Sequence, residues 1–202
     1  MGRPKGPTRD TKQLILDEAL RLFSTQGLKA TTVKEIAEGV GIKDASLYNY
    51  FSGKQEIFNA VLEKEREYAY AVLAEQTVNY AARYALTGDG VQAFQDCILS
   101  AVEPYFTDDR LEQLRKLLTV TQFEYEEANA LYQEMFIERP QGFVQDALEA
   151  AVSEYVFKQC NLATTACSLQ GAFFVLLAQN KVWTEARPRI ISILRAFERS
   201  HV

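Results

Sequence analysis

Thr32-Val-Lys-Glu-Ile-Ala-Glu-Gly-Val-Gly-Ile-Lys-Asp-Ala-Ser-Leu-Tyr-Asn-Tyr-Phe51 reads as two short helices joined by a tight turn, the frame of a helix-turn-helix. Thr32 is placed to cap the first helix, and Glu35 three residues on completes a capping box. Ile36, Ala37 and Val40 fall on one helical face, and Ala37 is small enough for two helices to cross closely. Gly41 stands where the chain must bend, because a left-handed backbone costs glycine little. Ile42 plugs the turn, and Leu47 and Phe51 carry the apolar face into the second helix. The outer face is left with Lys43, Asp44, Ala45, Ser46, Tyr48, Asn49 and Tyr50, which are short, polar or aromatic groups suited to base edges and phosphates. A hairpin with this pattern also occurs as the plain core of an all-helical domain, so its surroundings decide between the two readings.

Upstream, residues 1–9 form a basic segment with Arg3 and Lys5, rich in proline and glycine, and are expected to be a flexible arm. Such an arm either has no role or reaches phosphates and an adjacent minor groove. From Asp10 to Gln26, Leu16, Ala19, Leu20 and Phe23 recur at three- and four-residue steps, and Gly27 stops the helix. Downstream, Ser52-Gly-Lys-Gln55 predicts a second capping box that opens a long helix running to about Tyr84. Asp89 caps the next helix, Glu103-Pro104 disturbs it, and Thr107-Asp-Asp109 starts another. Helices then follow from Tyr125 towards Ile137, where Pro140 interrupts or kinks the path, and from Gly142 to Cys160. Two apolar helices close the chain, at about 164–182 and 185–199. No strand rhythm persists, so the expected fold is all-α. It comprises a three-helix head, residues 10–62, with its helix-turn-helix at 32–51, and a larger helical body, residues 63–202, with about nine helices in all.

The composition narrows the function. A 48% hydrophobic content over 202 residues suffices for a real core. The longest apolar run, near Gly171 to Gln179, falls far short of the roughly 20 residues that span a bilayer. No hydrophobic region follows the N-terminal Met-Gly-Arg-Pro-Lys-Gly-Pro, so no secretory signal is expected. The three cysteines, Cys97, Cys160 and Cys167, have no metal-like pairing and suit a reducing compartment. These features predict a soluble cytoplasmic protein without a membrane association. Residues 1–54 hold nine Lys/Arg against six Asp/Glu, and the remainder thirteen against twenty-one, within a net charge of −5. One basic end on an acidic molecule suits a protein that presents that end to DNA. The lone histidine, His201, leaves no Ser–His or Cys–His pair to activate a nucleophile, and no phosphate-cradling glycine loop is present. Neither an enzyme nor a metal or other cofactor is expected.

Taken together, the segment from Thr11 to Leu62 resembles the DNA-binding domain of the tetracycline-repressor (TetR) family. The resemblance is carried by Ile15, Ala19, Leu20, Leu22, Phe23, Gly27, Thr31-Thr32, Ile36-Ala37, Gly41-Ile42, Leu47-Tyr48-Asn-Tyr-Phe51, Lys54 and Ile57. Thr31 and Thr32 lie at a helix N-terminus suited to phosphate, and the resemblance implies backbone contacts from Thr32, Tyr48, Tyr50 and Lys54, which fix register and supply salt-dependent affinity. Base readout then falls to Lys43, Asp44, Ala45, Ser46 and Asn49, with Asn49 suited to adenine and Lys43 to guanine. Lys43 departs from the Ser or Thr that the family usually places there. Asp44 therefore has two readings, as a substitute helix cap or as an acceptor for cytosine.

The rest of the chain resembles the family in helical architecture and length alone. That resemblance implies a homodimer through the last two helices, here Leu169, Phe173, Leu176, Leu177, Asn180, Ile190, Ile191, Leu194 and Phe197, on a palindromic double-stranded operator. It also implies a small apolar or amphipathic effector in the body. Tyr68, Phe94, Phe123 and Tyr155 are the candidate lining residues, beside the plain reading of these aromatics as packing. The function implied is a sequence-specific transcriptional regulator, a repressor released by its effector. The alternative is a helical module whose head contacts another protein.

Overall fold

The computed structural model describes residues 10–74 and 79–201, and every regular element among them is helical. Helix α1 (Thr11–Gln26) opens on Asp10, whose carboxylate accepts the Lys12 amide at 3.0 Å. Its Ile15, Leu16, Ala19, Leu20 and Phe23 are buried along one stripe, as their spacing requires. Helix α2 (Val33–Val40) carries the full Thr32–Glu35 capping box. Gly41 then turns left-handed, with φ +79°, and the Ile42 amide returns to the Ala37 carbonyl at 3.0 Å. Helix α3 (Asp44–Leu47) is a single turn that points Leu47 inward.

Helix α4 (Lys54–Ala74) starts beyond Ser52. The amide and hydroxyl of Ser52 both donate to Glu56 Oε2, at 2.6 and 2.7 Å, so the acid one place beyond Gln55 is the capping partner. Gln55 donates instead to Asn59. The expected single helix to Tyr84 is two. Asn79 leaves helical geometry (φ −109°, ψ 61°), and its side-chain oxygen accepts the Ala82 amide, starting α5 (Tyr80–Thr87). An asparagine amide imitates a backbone acceptor, so apolar periodicity on both sides does not force the helix through it.

Asp89 accepts two amides at the start of α6 (Gly90–Val102), and Pro104 opens the short α7 (Pro104–Thr107). Helices α8 (Asp109–Thr121) and α9 (Glu126–Tyr132) follow. Pro140 does not end the next helix. Through a π turn at Gln133–Glu138, α9 continues into α10 (Arg139–Ser153). Pro140 has no amide for the Phe136 carbonyl in α register, or for the Met135 carbonyl in the wider π register. Both acceptors are met from elsewhere. The buried Tyr105 hydroxyl donates to Met135 O at 3.1 Å, and the buried Gln170 amide donates to Phe136 O at 3.4 Å. The last helices are α11 (Leu162–Ala178) and α12 (Trp183–His201).

These helices gather into two compact units that are not consecutive in sequence. One comprises residues up to Tyr68 with Gln113–Tyr132; the other comprises Ala69–Glu112 with Gln133–Val202. In the first, Phe58 meets Phe23 edge-on at 6.2 Å and Tyr125 at 5.0 Å, and Lys29 pairs with Glu124 at 2.7 Å. In the second, Phe94, Phe157 and Phe197 form a triangle with ring centroids 5.0–6.0 Å apart. Leu148, Ile190 and Leu194 are fully buried in the same core.

Helix α10 ends through paired returns, Tyr155 N to Val152 O and Val156 N to Ala151 O, which place Tyr155 left-handed at φ +58°. A bulky side chain is unfavourable there by about 1–2 kcal/mol, and this ring is 94% exposed, so packing returns nothing. Tyr155→Gly is expected to raise the urea-unfolding stability by about 0.5–1 kcal/mol once glycine's extra chain entropy is deducted. A loss of stability in that measurement would refute the strain argument.

Candidate nucleic-acid interface

The scaffold of the helix-turn-helix is dry. Ile36, Ala37 and Leu47 are fully buried, and Phe51 nearly so. That packing aims the opposite face outward. Lys43, Asp44, Ala45, Asn49, Tyr48 and Tyr50 are exposed and Ser46 half-exposed, gathered on one turn of helix and the bend that follows it. Lys43 occupies the N-cap position of α3 without a side-chain cap bond, and Asp44 stands one residue inside the helix. The capping reading of Asp44 therefore fails, and its carboxylate lies open on the outer face. Thr32 is exposed at the head of α2, but its hydroxyl is shared with Glu35, donating to Oε2 at 2.8 Å and accepting the Glu35 amide at 3.2 Å. Those bonds to the Thr32 amide and hydroxyl hold the Glu35 carboxyl below its ordinary range.

Two expected backbone contacts turn inward. Thr31 is fully buried, its hydroxyl donating to Gly27 O at 2.8 Å and accepting from the Gln26 amide at 3.3 Å. It holds the α1–α2 connection together rather than facing DNA. Lys54 reaches back across the head, and its ammonium donates to the carbonyls of Leu28 (2.8 Å), Lys29 (3.2 Å) and Thr31 (2.8 Å). An ammonium has three protons, and all three are taken up here. Lys54 is a positioning residue for the head, not a free cation on its surface. Arg3 and Lys5 lie outside the described residues. Lys12 lies 5.5 Å over the Phe51 ring.

The family described as "Bacterial regulatory proteins, tetR family" matches residues 15–61, which hold most of α1, α2 and α3, the start of α4 and the outward face just described. Over this segment the chain is similar to the TetR family. It is 28% identical over 116 residues to the HTH-type transcriptional regulator AcrR of Shigella flexneri, covering 57% of this chain and 51% of that protein. It is 35% identical over 71 residues to the HTH-type transcriptional repressor KstR2 of Mycobacterium tuberculosis, 35% of this chain and 36% of that protein. The chain thus spans about half or less of these curated relatives. A TetR-family structure from Mesorhizobium loti aligns over 98% of this chain and 99% of its own, with a TM-score of 0.65 and 15% identity. At that identity the likeness shows the fold alone.

Beyond the head, the body places the residues expected at a dimer interface and at a pocket. Leu169, Phe173, Leu176, Leu177, Ile190, Leu194 and Phe197 are buried within their own unit, and Ile191 packs half-buried against that core. The buried ones among them pack within the protomer, and Ile191 keeps part of its surface open. Asn180, just past the α11 C-cap Gln179, takes a left-handed backbone (φ +52°), while Lys181 N returns to Leu176 O. Asparagine tolerates that conformation, which explains its presence there. Among the exposed residues of α11 are Cys167, Val175 and Ala178, with Gly171 half-buried beside them, and on α12 Ser192 and Ala196 are exposed among Arg189, Arg195 and Arg199.

The four aromatic residues expected at a pocket do not share one. Phe123 and Tyr155 are 86% and 94% exposed, Phe94 is sealed against Phe157 and Phe197, and Tyr68 is half-buried in the first unit. Aromatic content marks large side chains, not which of them border empty space. A cavity of about 250 Å³ lies elsewhere in the second unit, where Val102, Tyr105, Pro140 and Phe143 meet Arg139 and Asp146. Its one visible signal in the sequence is Arg139-Pro140, a proline next to a cation inside a helical rhythm.

Lys54→Met is expected to destabilise the head by about 1.5–3 kcal/mol in chemical unfolding, the range for hydrogen bonds from a charged donor. Below its melting temperature, the variant should keep the wild-type dependence of DNA affinity on salt. A drop of about 0.9 in the slope of log K against log salt would return Lys54 to the phosphate backbone.

Proposed function

We propose that this chain is a sequence-specific DNA-binding repressor that works as a cytoplasmic homodimer. Residues 10–62 bind DNA, and residues 63–202 serve regulation and dimerisation. The observation that carries the reading is the exposed cluster from Lys43 to Tyr50, held outward by a buried scaffold inside the segment that matches the TetR family. Its chemistry divides into two jobs. Tyr48 and Tyr50 present hydroxyls on rigid rings, with Thr32 beside them at a helix start, and these suit phosphates. Asn49, Ser46 and Lys43 reach base edges, and Asn49 offers the donor–acceptor pair that adenine matches. Asp44, open beside them, repels phosphate and suits a cytosine amino group. Repression is the reading favoured by the KstR2 relative, whose name describes a repressor.

The outward faces of α11 and α12 support the dimer. Val175 is 52% exposed, and Gly171, Ala178, Ser192 and Ala196 let two helix backbones approach closely. Two heads related by a twofold axis then read two halves of a palindrome about one helical turn apart. An effector taken up by the body shifts the protein away from its DNA-competent form, by as much as it prefers the other state.

Selection from random DNA is expected to return a palindrome, and gel shifts should then show that Tyr48→Ala weakens all operator variants alike. Asn49→Ala is expected to relax discrimination at one or two base pairs, each about 1–3 kcal/mol. If no DNA is enriched, the regulator reading falls; full discrimination by Asn49→Ala removes that residue from readout. Sedimentation at micromolar concentration should show a dimer, and Gly171→Glu should yield monomers. A wild-type monomer would overturn the dimer.

A further inference from the structure

The cavity in the second unit has a chemistry more specific than an apolar hole. Its buried wall is hydrophobic: Leu73, Ala101, Val102 and Val144 are each at most 7% exposed. Into this wall comes one cation, Arg139, half-buried on the first turn of α10. Its guanidinium lies 5.0 Å over the Tyr70 ring, and the Tyr70 hydroxyl donates to the Glu134 carboxylate. Glu134 is thereby engaged by a phenol, and Arg139 makes no ion pair among the described residues. A guanidinium fixed by its face keeps its N–H edges free, and those edges match a carboxylate in a two-pronged bond.

Two further features limit what fits. Asp146, exposed on the cavity's lining, lies seven residues along α10 from Arg139, about 10 Å of helix rise. It repels a second carboxylate at the far end of a bound molecule. On the inner side, Val102, Tyr105 and Pro140 form a partition shared with a much smaller apolar space walled by Phe136, Phe173 and Leu177. That partition is rigid because the Tyr105 hydroxyl is tied to Met135 O and Pro140 sits on the π turn. Burial pushes the Tyr105 phenol above its ordinary range, which keeps it a donor. At about 250 Å³ the open space is just under the ~300 Å³ at which drug-sized sites begin.

We propose that this cavity binds a small monocarboxylic amphiphile, its carboxylate on Arg139 and its apolar body against Val102, Tyr105 and Pro140. The inference deepens the effector part of the function proposed above and rests on the second unit being the effector-binding part. The acid head supplies the partner that Arg139 lacks, and the apolar body displaces water from the Leu73–Val144 wall. The Tyr105–Pro140 partition stops the tail, so short chains are preferred to long ones.

Titration calorimetry on the full chain with sodium octanoate, 1-octanol and the C8 dicarboxylate suberate tests this. Octanoate is expected to saturate one site per chain, and octanol and suberate to bind at least about tenfold more weakly. Arg139→Gln should reduce octanoate to the level of octanol while octanol binding persists, and its folding is checked by its thermal melt. Ala101→Phe, which fills the cavity, should abolish all binding; where it fails to fold, Val102→Phe takes its place. Equal affinity for octanoate and octanol, unchanged octanoate binding in Arg139→Gln, or no octanoate binding at all would each overturn the proposal. Gel shifts on the same preparations separate the two ideas. A protein that binds octanoate and no DNA refutes the regulator, whereas one that binds DNA and no octanoate refutes this ligand.

Discussion

The ammonium of Lys54, bound to the carbonyls of Leu28, Lys29 and Thr31, joins the start of α4 to the turn between α1 and α2. The head depends on this closure. A chain made of helices leaves carbonyls without amides wherever a helix stops, and burying them unpaired is costly. By meeting three at once from the other end of the head, Lys54 sets where α4 begins relative to the helix-turn-helix. The scaffold can then hold Tyr48, Asn49 and Tyr50 outward on the turn that follows a helix of only four residues. A four-residue helix has little stability of its own, so the geometry of the DNA-facing surface comes from what is packed behind it.

The same requirement recurs at Pro140, with a different outcome. There the backbone widens into a π turn, and Tyr105 and Gln170 provide the donors that proline cannot. The helix survives, but its surface is no longer regular, and the cavity beside Arg139 borders that irregularity. Helical proteins pack densely where ridges meet grooves. A break in the ridge is a natural place for space to remain, and polar groups recruited to repair the backbone become part of its wall. Stability and ligand chemistry are therefore linked through Tyr105, which does both.

Much of the head was legible because its signals are short-range. The Thr32–Glu35 box and the left-handed Gly41 are turn chemistry contained within ten residues, and the three- and four-residue spacing of Ile15, Ala19 and Phe23 is a property of one helix. Other features rest on contacts between distant residues. Leu176, Ile190 and Leu194 were rightly read as apolar, but apolarity does not say whether a face meets its own chain or a second copy. Lys54 was rightly matched to its family position, but a charge at a helix start looks the same whether it turns to phosphate or to carbonyls.

The sequence by itself determined the all-helical class, the helix-turn-helix with its caps and turn, and the identity of the outward residues from Lys43 to Tyr50, because periodicity and capping are written in neighbouring positions. The tertiary structure alone decided that Thr31 and Lys54 face inward, that Gln113–Tyr132 joins the head's compact unit, and that α11 and α12 spend their large side chains on their own core. It also decided that Arg139, over the Tyr70 ring and without an ion pair among the described residues, lines a cavity. Each of these depends on residues tens of positions apart being brought together, and long-range packing chooses among partners that a local pattern leaves equivalent.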